Sequence, residues 1–556
     1  MQSAGRWAIA VALSLSLLGV VAATAAERRA AVRELRDGGG ENDPPQDPVP
    51  GAEPVPSPPG EVPSPPGDAV CGGPTLCAAE VGAIVAAAAA ALSDTTLTVA
   101  VVDRLGNPLA LFRKPGAAGT DDERAVGLAR TAAWFSNDQA PLSSRTVRFV
   151  SGIHFPPGIA RTPNAALYGI ENSNRGCSLN APLNPGARVA EGRSVQGVLG
   201  GLACDPFDGS GCGLGVVTGK ADLFDSDPRA VDPGGVPIFR PAGAGGGARV
   251  IGGIGVAGAS SPPAAEFAAL TGAFAGASAP VPQFPLPAPG NVFIDGVRLP
   301  FVEATRRPRG TSPGAAAGTF VIAPTDGVEA PDGYLVGPAA GSQLSAAEVD
   351  RIVQQSAAVA ARTRAVIRLP LGSRARMAIA VADLDGRLLA LFRMPDATIF
   401  SLDVAAAKAR NVAYFSGSPA APLDLAGVPA GTAVSNRTIS FGAQPLYPPG
   451  IDGTAPGPFF DLFLFDSAHP CSQGHEPPHP NQSGVVFFPG SLPLYRGATL
   501  VGGLGVSGDG VEQDDYVSFF GAAGFQPPES TWANRIFVRG VRLPFLKFPR
   551  NPEDER

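Results

Sequence analysis

Leu97-Thr-Val-Ala-Val-Val-Asp103-Arg-Leu-Gly106-Asn-Pro-Leu-Ala-Leu-Phe-Arg113 returns later in the chain, without a gap, as Met377-Ala-Ile-Ala-Val-Ala-Asp383-Leu-Asp-Gly386-Arg-Leu-Leu-Ala-Leu-Phe-Arg393. In each stretch two apolar runs flank Asp-x-x-Gly, which predicts a β-hairpin with glycine supplying the turn. The register continues through Ala129-Arg130-Thr-Ala-Ala-Trp-Phe-Ser136 and Ala409-Arg410-Asn-Val-Ala-Tyr-Phe-Ser416. Further matches keep the order: Pro237-Ile-Phe-Arg240 with Pro493-Leu-Tyr-Arg496, Ile251-Gly-Gly-Ile-Gly-Val-Ala-Gly258 with Val501-Gly-Gly-Leu-Gly-Val-Ser-Gly508, and Gly296-Val-Arg-Leu-Pro-Phe301 with Gly540-Val-Arg-Leu-Pro-Phe545. Self-similarity of this kind marks a tandem duplication. Copy 1 is expected over 75–302, a linker over 303–342, copy 2 over 343–547 and a charged tail over 548–556.

Each copy opens with apolar residues at helical spacing, Val81, Ile84 and Val85 or Val349, Ile352 and Val353. The hairpin follows, then an Ala-rich helix near 124–135 or 403–415. A long Pro/Gly-rich insertion, 137–233 or 417–489, has no assignable regular structure. A Gly-rich strand and a last strand ending in Arg-Leu-Pro-Phe close each copy. Each of the two tandem copies therefore mixes helices and strands, an α/β pattern in the α+β sense.

Of 556 residues 71 are Gly and 59 Pro, yet hydrophobic residues reach 44%, enough for a packed core. A net charge of −7 gives no basic footprint for nucleic acid. Trp7 to Ala26 carries no charge and ends Ala-Thr-Ala-Ala before Glu27, the pattern of a signal peptide over 1–26 that directs secretion or periplasmic export. An uncleaved anchor is the alternative, since about 20 apolar residues just span a bilayer. After cleavage no membrane segment is expected. Residues 27–74, with Val55-Pro-Ser-Pro-Pro-Gly60 echoed by Val62-Pro-Ser-Pro-Pro-Gly67, read as a disordered Pro-rich spacer.

Export permits disulfides, and Cys71 with Cys77 and Cys204 with Cys212 bracket tight Gly/Pro loops that suit local bridges. Cys177 and Cys471 remain; they pair across the copies, stay free, or join the first insertion. His469-Pro-Cys471-Ser-Gln-Gly-His475-Glu-Pro-Pro-His479 offers soft metal ligands, His469, Cys471, His475 and His479, or is a polar surface loop. Gly253-x-Gly255-x-x-Gly258 and Gly503-x-Gly505-x-x-Gly508 imitate a dinucleotide loop but sit late in each copy, so close backbone packing explains them better. Asp103 and Asp383 are placed to cap the hairpin turn. No nucleophile elbow, H-E-x-x-H or P-loop occurs.

Ala380-Val-Ala-Asp383-Leu-Asp-Gly386, Phe392-Arg-Met394, Lys408-Ala-Arg410 and Gly505-Val-Ser-Gly508 with Glu512-Gln-Asp514 together resemble the GlcG/HbpS family of haem-binding-type domains. The resemblance implies two tandem profilin-like α/β domains, each with a mostly antiparallel sheet flanked by helices, a tendency to oligomerise, and in some members binding of haem or a corrinoid-like ligand. It assigns Lys408, Arg393, Arg410, Ser507 and Asp514 as ligand-binding residues of copy 2. Copy 1 departs from the pattern, with Leu128 in place of Lys408, Ala257 in place of Ser507 and no Gln-Asp pair. The expected protein is an exported, non-catalytic binding protein whose small ligand is haem or a relative. A structural interaction module, or a weak enzyme on a small hydroxy acid or peroxide, are the alternatives. The two copies are expected to pack as a pseudo-symmetric pair.

Overall fold

The computed structural model of the chain describes residues 71–150, 231–242, 247–276, 293–294, 297–417, 424–449, 451, 453–468, 472–476 and 481–553. Copy 1 runs α1 (Ala78–Ala90), β1 (Thr98–Asp103), β2 (Pro108–Arg113), α2 (Asp122–Phe135), α3 (Ser144–Val150), β3 (Gly235–Pro241), β4 (Ala248–Ala257), α4 (Pro262–Gly276), β5 (Phe293–Ile294) and β6 (Val297–Arg298). Two strands follow, β7 (Thr319–Ile322) and β8 (Gly333–Val336). Copy 2 continues with α5 (Ala346–Arg362), β9 (Ala378–Ala382), β10 (Leu388–Arg393), α6 (Phe400–Phe415), α7 (Asn436–Gly442), α8 (Phe460–Ala468), β11 (Ser491–Arg496), β12 (Thr499–Ser507), α9 (Val511–Gly521), β13 (Phe537–Val538) and β14 (Val541–Arg542).

The two main sheets have five strands each, ordered β3-β4-β1-β2-β7 and β11-β12-β9-β10-β8, with antiparallel neighbours throughout. β1 and β9 are buried along their whole length, because α2 or α6 covers one face and α1 with α4, or α5 with α9, the other. That is why they read as unbroken apolar runs rather than alternating ones. Gly106 and Gly386 both turn the hairpin at φ +82°. Asp103 and Asp383 cap it: the Asp103 carboxylate accepts from the Leu105 and Asn107 amides at 2.9 Å each, and that of Asp383 from the Leu384 amide at 2.9 Å.

The Gly-x-Gly motif is a packing device. A Cβ at Gly255 would stand 2.0 Å from the Ala125 carbonyl oxygen of α2, and one at Gly505 2.0 Å from that of Ala405 on α6. β4 and β12 each touch their covering helix backbone to backbone. The closing Arg-Leu-Pro-Phe segments depart from expectation, since β6 and β14 form two-residue hairpins with β5 and β13 outside the main sheets.

The segment 303–342 does more than link. Phe320 of β7 pairs with Phe112 of β2, and Tyr334 of β8 with Phe392 of β10, so each sheet takes its fifth strand from this segment. Thr319-Phe-Val-Ile-Ala-Pro324 and Gly333-Tyr-Leu-Val-Gly-Pro338 occupy matching places, and afterwards the Thr325 and Ala339 amides donate to the carbonyls of Leu109 and Leu389. Copy 1 thus receives its edge strand from behind and copy 2 from in front.

The copies meet in a continuous core. The Phe135 ring stacks on Phe400 at 4.0 Å, the Ile399 amide donates to the Trp134 carbonyl at 3.1 Å, and Val404, Val486 and Phe488 share one apolar cluster with copy 1 residues. Buried Arg368 pairs with Asp396, whose carboxylate also accepts from the Asp138 amide. These contacts correct the expectation of pseudo-symmetric packing. An isologous interface would use the counterpart of Phe135, Phe415, in the same way, but Phe415 packs in the core of copy 2 itself. The seam is head to tail.

Candidate functional site

Lys408, Asp514 and Ser507 lie close together inside copy 2, where α6, β12 and α9 converge. Lys408 is fully buried; its Nζ donates to the Val506 carbonyl at 2.8 Å and to Asp514 Oδ2 at 3.0 Å, and lies 4.9 Å from the Phe488 ring centre. Ser507 Oγ donates to Ser401 Oγ at 3.3 Å. Burial pushes the Asp514 carboxyl up to about 7 against the pull of Lys408, and pushes the Lys408 ammonium down. The Lys408 amine, assigned to ligand binding by the resemblance, is thus held by internal partners.

Arg393 and Arg410 lie elsewhere. Arg393 donates twice to the Ala397 carbonyl, at 3.0 and 2.7 Å, and pairs with Asp332 near the seam. Arg410 Nε donates to the Gly386 carbonyl at 2.7 Å beneath the hairpin turn, and burial brings its guanidinium down to about 9. All five residues form internal ties; Arg393 also borders a small cavity of about 60 Å³ at the seam.

Of the loop singled out for metal, His469, Cys471 and His479 lie outside the described residues. His475 is half exposed, with Nδ1 against buried Asp424, whose other oxygen accepts from Tyr414 at 2.7 Å. No cluster of three or more metal-ligating side chains occurs among the described residues. Cys71 and Cys77 are bridged; Cys204, Cys212 and Cys177 lie outside the described residues, as do residues 1–70.

A cavity of about 500 Å³ in copy 2 opens between α7, the start of α9 and the segment after β14. Phe441, Pro489, Val511, Leu543, Pro544, Phe545 and Leu546 make apolar walls, and Arg437, Arg542 and Lys547 bring positive charge. Such a volume, mostly apolar with a few convergent polar groups, is what small-molecule sites present. The local sequence builds it through backbone ties. Ser435 caps α7 and its hydroxyl also donates to the Phe545 carbonyl, while Thr438 Oγ1 donates to the Pro544 carbonyl at 2.7 Å. Asp515, fully buried, receives Arg437 Nε, the Lys547 amide at 3.0 Å and the Gly490 amide at 2.9 Å. Lys547 pairs with Glu512, another wall residue.

Copy 1 repeats this framework. Ser143 donates to the Phe301 carbonyl and Thr146 to that of Pro300; Glu266 takes the place of Asp515, bonded by Arg145 and by the Glu303 amide at 2.9 Å. Glu303 stands where copy 2 has Lys547. The motif reading missed Arg437, Arg542 and Lys547, although the signal was present: Ser143-Ser-Arg145-Thr aligns with Ser435-Asn-Arg437-Thr, and Leu299-Pro-Phe301-Val-Glu303 with Leu543-Pro-Phe545-Leu-Lys547.

The walls suit the flat apolar body and carboxylates of a haem-like macrocycle. They do not suit coordination of its iron, because none of the lining side chains is a His, Met, Cys or Tyr.

Residues 352–523, most of copy 2, match the HbpS-like family, described as haem degrading protein HbpS-like. The chain is also similar to two solved structures. One is the crystal structure of a PduOC:heme complex, at 22% identity over 33% of this chain and 95% of that one, with a TM-score of 0.22. The other is Klebsiella pneumoniae protein ORFY, at 21% identity over 31% and 87%, with a TM-score of 0.20. No curated protein matches the chain. No helix among the described residues is long and apolar enough to cross a membrane.

Proposed function

We propose that the protein is an exported binding protein for a carboxylate-bearing tetrapyrrole of the haem class, which it seats in the cavity of copy 2. The observation that carries this reading is the cavity itself: about 500 Å³, apolar-walled, with Arg437, Arg542 and Lys547 converging on it within and just beyond the HbpS-like domain. The matching family, described as haem degrading protein HbpS-like, supports a ligand of the haem class. The macrocycle is held by its faces against Phe441, Val511 and Phe545 and by its carboxylates against the cations, without a protein ligand to the iron. Export is supported by the uncharged stretch from Trp7 to Ala26, and the Cys71–Cys77 bridge agrees with an oxidising compartment.

Titration of the full chain with haemin tests the proposal. A shifted Soret band is expected, together with quenching of Trp532, whose ring lies 5.1 Å from that of Phe545 on the cavity wall. Iron-free protoporphyrin IX should bind within a few-fold of haemin, because the iron contributes no bond to the protein. Val511→Trp, which fills the cavity mouth, should abolish both. Absence of binding, or binding that Val511→Trp leaves intact, overturns the assignment.

A further inference from the structure

The two copies present one guanidinium in two settings. In copy 1, Arg145 Nε and Nη2 grip both oxygens of Glu266, at 2.6 and 3.0 Å, and Nη2 also donates to Glu303 Oε2 at 3.1 Å. In copy 2, Asp515 is one methylene shorter and meets Arg437 through Nε, while Nη2 has only a long 3.4 Å contact with the Val511 carbonyl among the described residues. The backbone after the Leu-Pro-Phe segment is held alike in both, since the Glu303 amide bonds Glu266 and the Lys547 amide bonds Asp515. The side chain at this position therefore springs from the same point in each copy. In copy 1 it returns a carboxylate to the arginine. In copy 2 it is a lysine that turns to Glu512, and the outer edge of Arg437 borders the cavity.

We infer that Glu303 is a built-in occupant, holding on Arg145 the place that a carboxylate of the ligand takes on Arg437. This deepens the reading of the copy 2 cavity as a ligand site and rests on it. The ligand class is narrowed to molecules with a carboxylate beside an apolar ring system. The charges agree: with Arg437 matched to Asp515 and Lys547 to Glu512, Arg542 still leaves the cavity of copy 2 one positive charge in excess. Arg145 in copy 1 already has two carboxylates. Position 303 or 547 is then the specificity-determining residue, closing one copy to carboxylates and leaving the other open.

The test uses the full chain, protoporphyrin IX, which has two carboxylates, and etioporphyrin, which has none, both read by Trp532 quenching. Lys547→Glu transplants the internal carboxylate onto a side chain that is largely exposed, so folding is not at stake. Protoporphyrin IX should bind at least tenfold more weakly to Lys547→Glu than to Lys547→Gln, which removes the same cation without supplying a carboxylate. Etioporphyrin should bind the two variants alike and the unaltered protein more weakly than protoporphyrin IX does. If Lys547→Glu and Lys547→Gln weaken protoporphyrin IX equally, the internal-occupant idea fails while the cavity stands. If the unaltered protein binds neither porphyrin, the cavity reading itself fails.

Discussion

Copy 1 and copy 2 share a sheet order, a pair of helix-contacting glycines and a capped hairpin, yet they fill the same internal position with opposite chemistry. A Cβ at Gly490 would meet Lys408 Nζ and Asp514 Cβ, both at 2.6 Å; one at Gly234 would meet Leu128 Cδ1 at 3.4 Å and Ala265 Cβ at 3.3 Å. The buried ion pair of copy 2 is an apolar contact in copy 1. Buried ion pairs are poor sources of stability, because removing two charges from water costs about as much as their attraction returns. Copy 1 therefore demonstrates that the fold does not need this one. In copy 2 the pair lies beside Asp515, which anchors Arg437 at the cavity, so the charged interior and the open site occur in the same copy.

The largest effect is expected from breaking that pair on one side only. Lys408→Leu leaves the Asp514 carboxylate buried without its partner and should cost about 3–5 kcal/mol in thermal or urea unfolding. The double variant Lys408→Leu/Asp514→Ala copies Leu128 and Ala265 and should recover most of the loss. A double variant as unstable as the single one would mean that the surroundings of copy 2 have come to depend on charge, and the equivalence of the two interiors would be lost.

A smaller effect, equal in both copies, is expected at the glycines. Gly255→Ala and Gly505→Ala each drive a methyl into a helix carbonyl that cannot swing aside, and each should cost roughly 1–3 kcal/mol, the usual range for overpacking. Unequal losses would reveal that one helix has room to withdraw and that the two cores are not the same.

These comparisons also explain what the sequence could tell. The hairpin, the Ala-rich helix and the Gly-rich strand were legible because each is a local pattern that both copies repeat. β7 and β8 were hidden because four-residue strands among Pro and Gly carry too little periodicity, although Ile322-Ala-Pro324 and Val336-Gly-Pro338 are a small repeat of their own. The head-to-tail seam depends on the depth at which Phe135 and Phe400 are buried, which no motif records. Lys408 and Asp514 were each noticed as single motif residues. Their joint replacement by Leu128 and Ala265 is the sign that they touch, and it becomes visible only when the copies are compared position by position. The cavity was missed for a different reason: its cations come from a short helix in the unassigned insertion and from the end of the chain, brought together by Asp515.

A further expected effect is the pH dependence of the Lys408–Asp514 pair, which copy 1 lacks. Burial holds the Asp514 carboxyl at about 7 in the folded protein, against about 3.9 in an unfolded chain. A group whose pKa is raised on folding favours the folded state fully below its unfolded value and loses that contribution as pH rises through its folded value. Asp514 should therefore withdraw stability between about pH 4 and pH 7. Lys408 is shifted down, so its contribution is complete above the ordinary lysine value and is lost as pH falls through its lower folded value. Asp138 at the seam is raised by burial to about 6 and acts with the same sign as Asp514, but it is untouched in Lys408→Leu/Asp514→Ala. The quantity to measure is thus the difference in melting temperature between the unaltered protein and that double variant across pH 4 to 7. The unaltered protein should lose ground steadily as pH rises. Parallel curves would mean that Asp514 keeps its charge throughout this range at no cost, and the contrast between a charged and an apolar interior would then carry no pH signature.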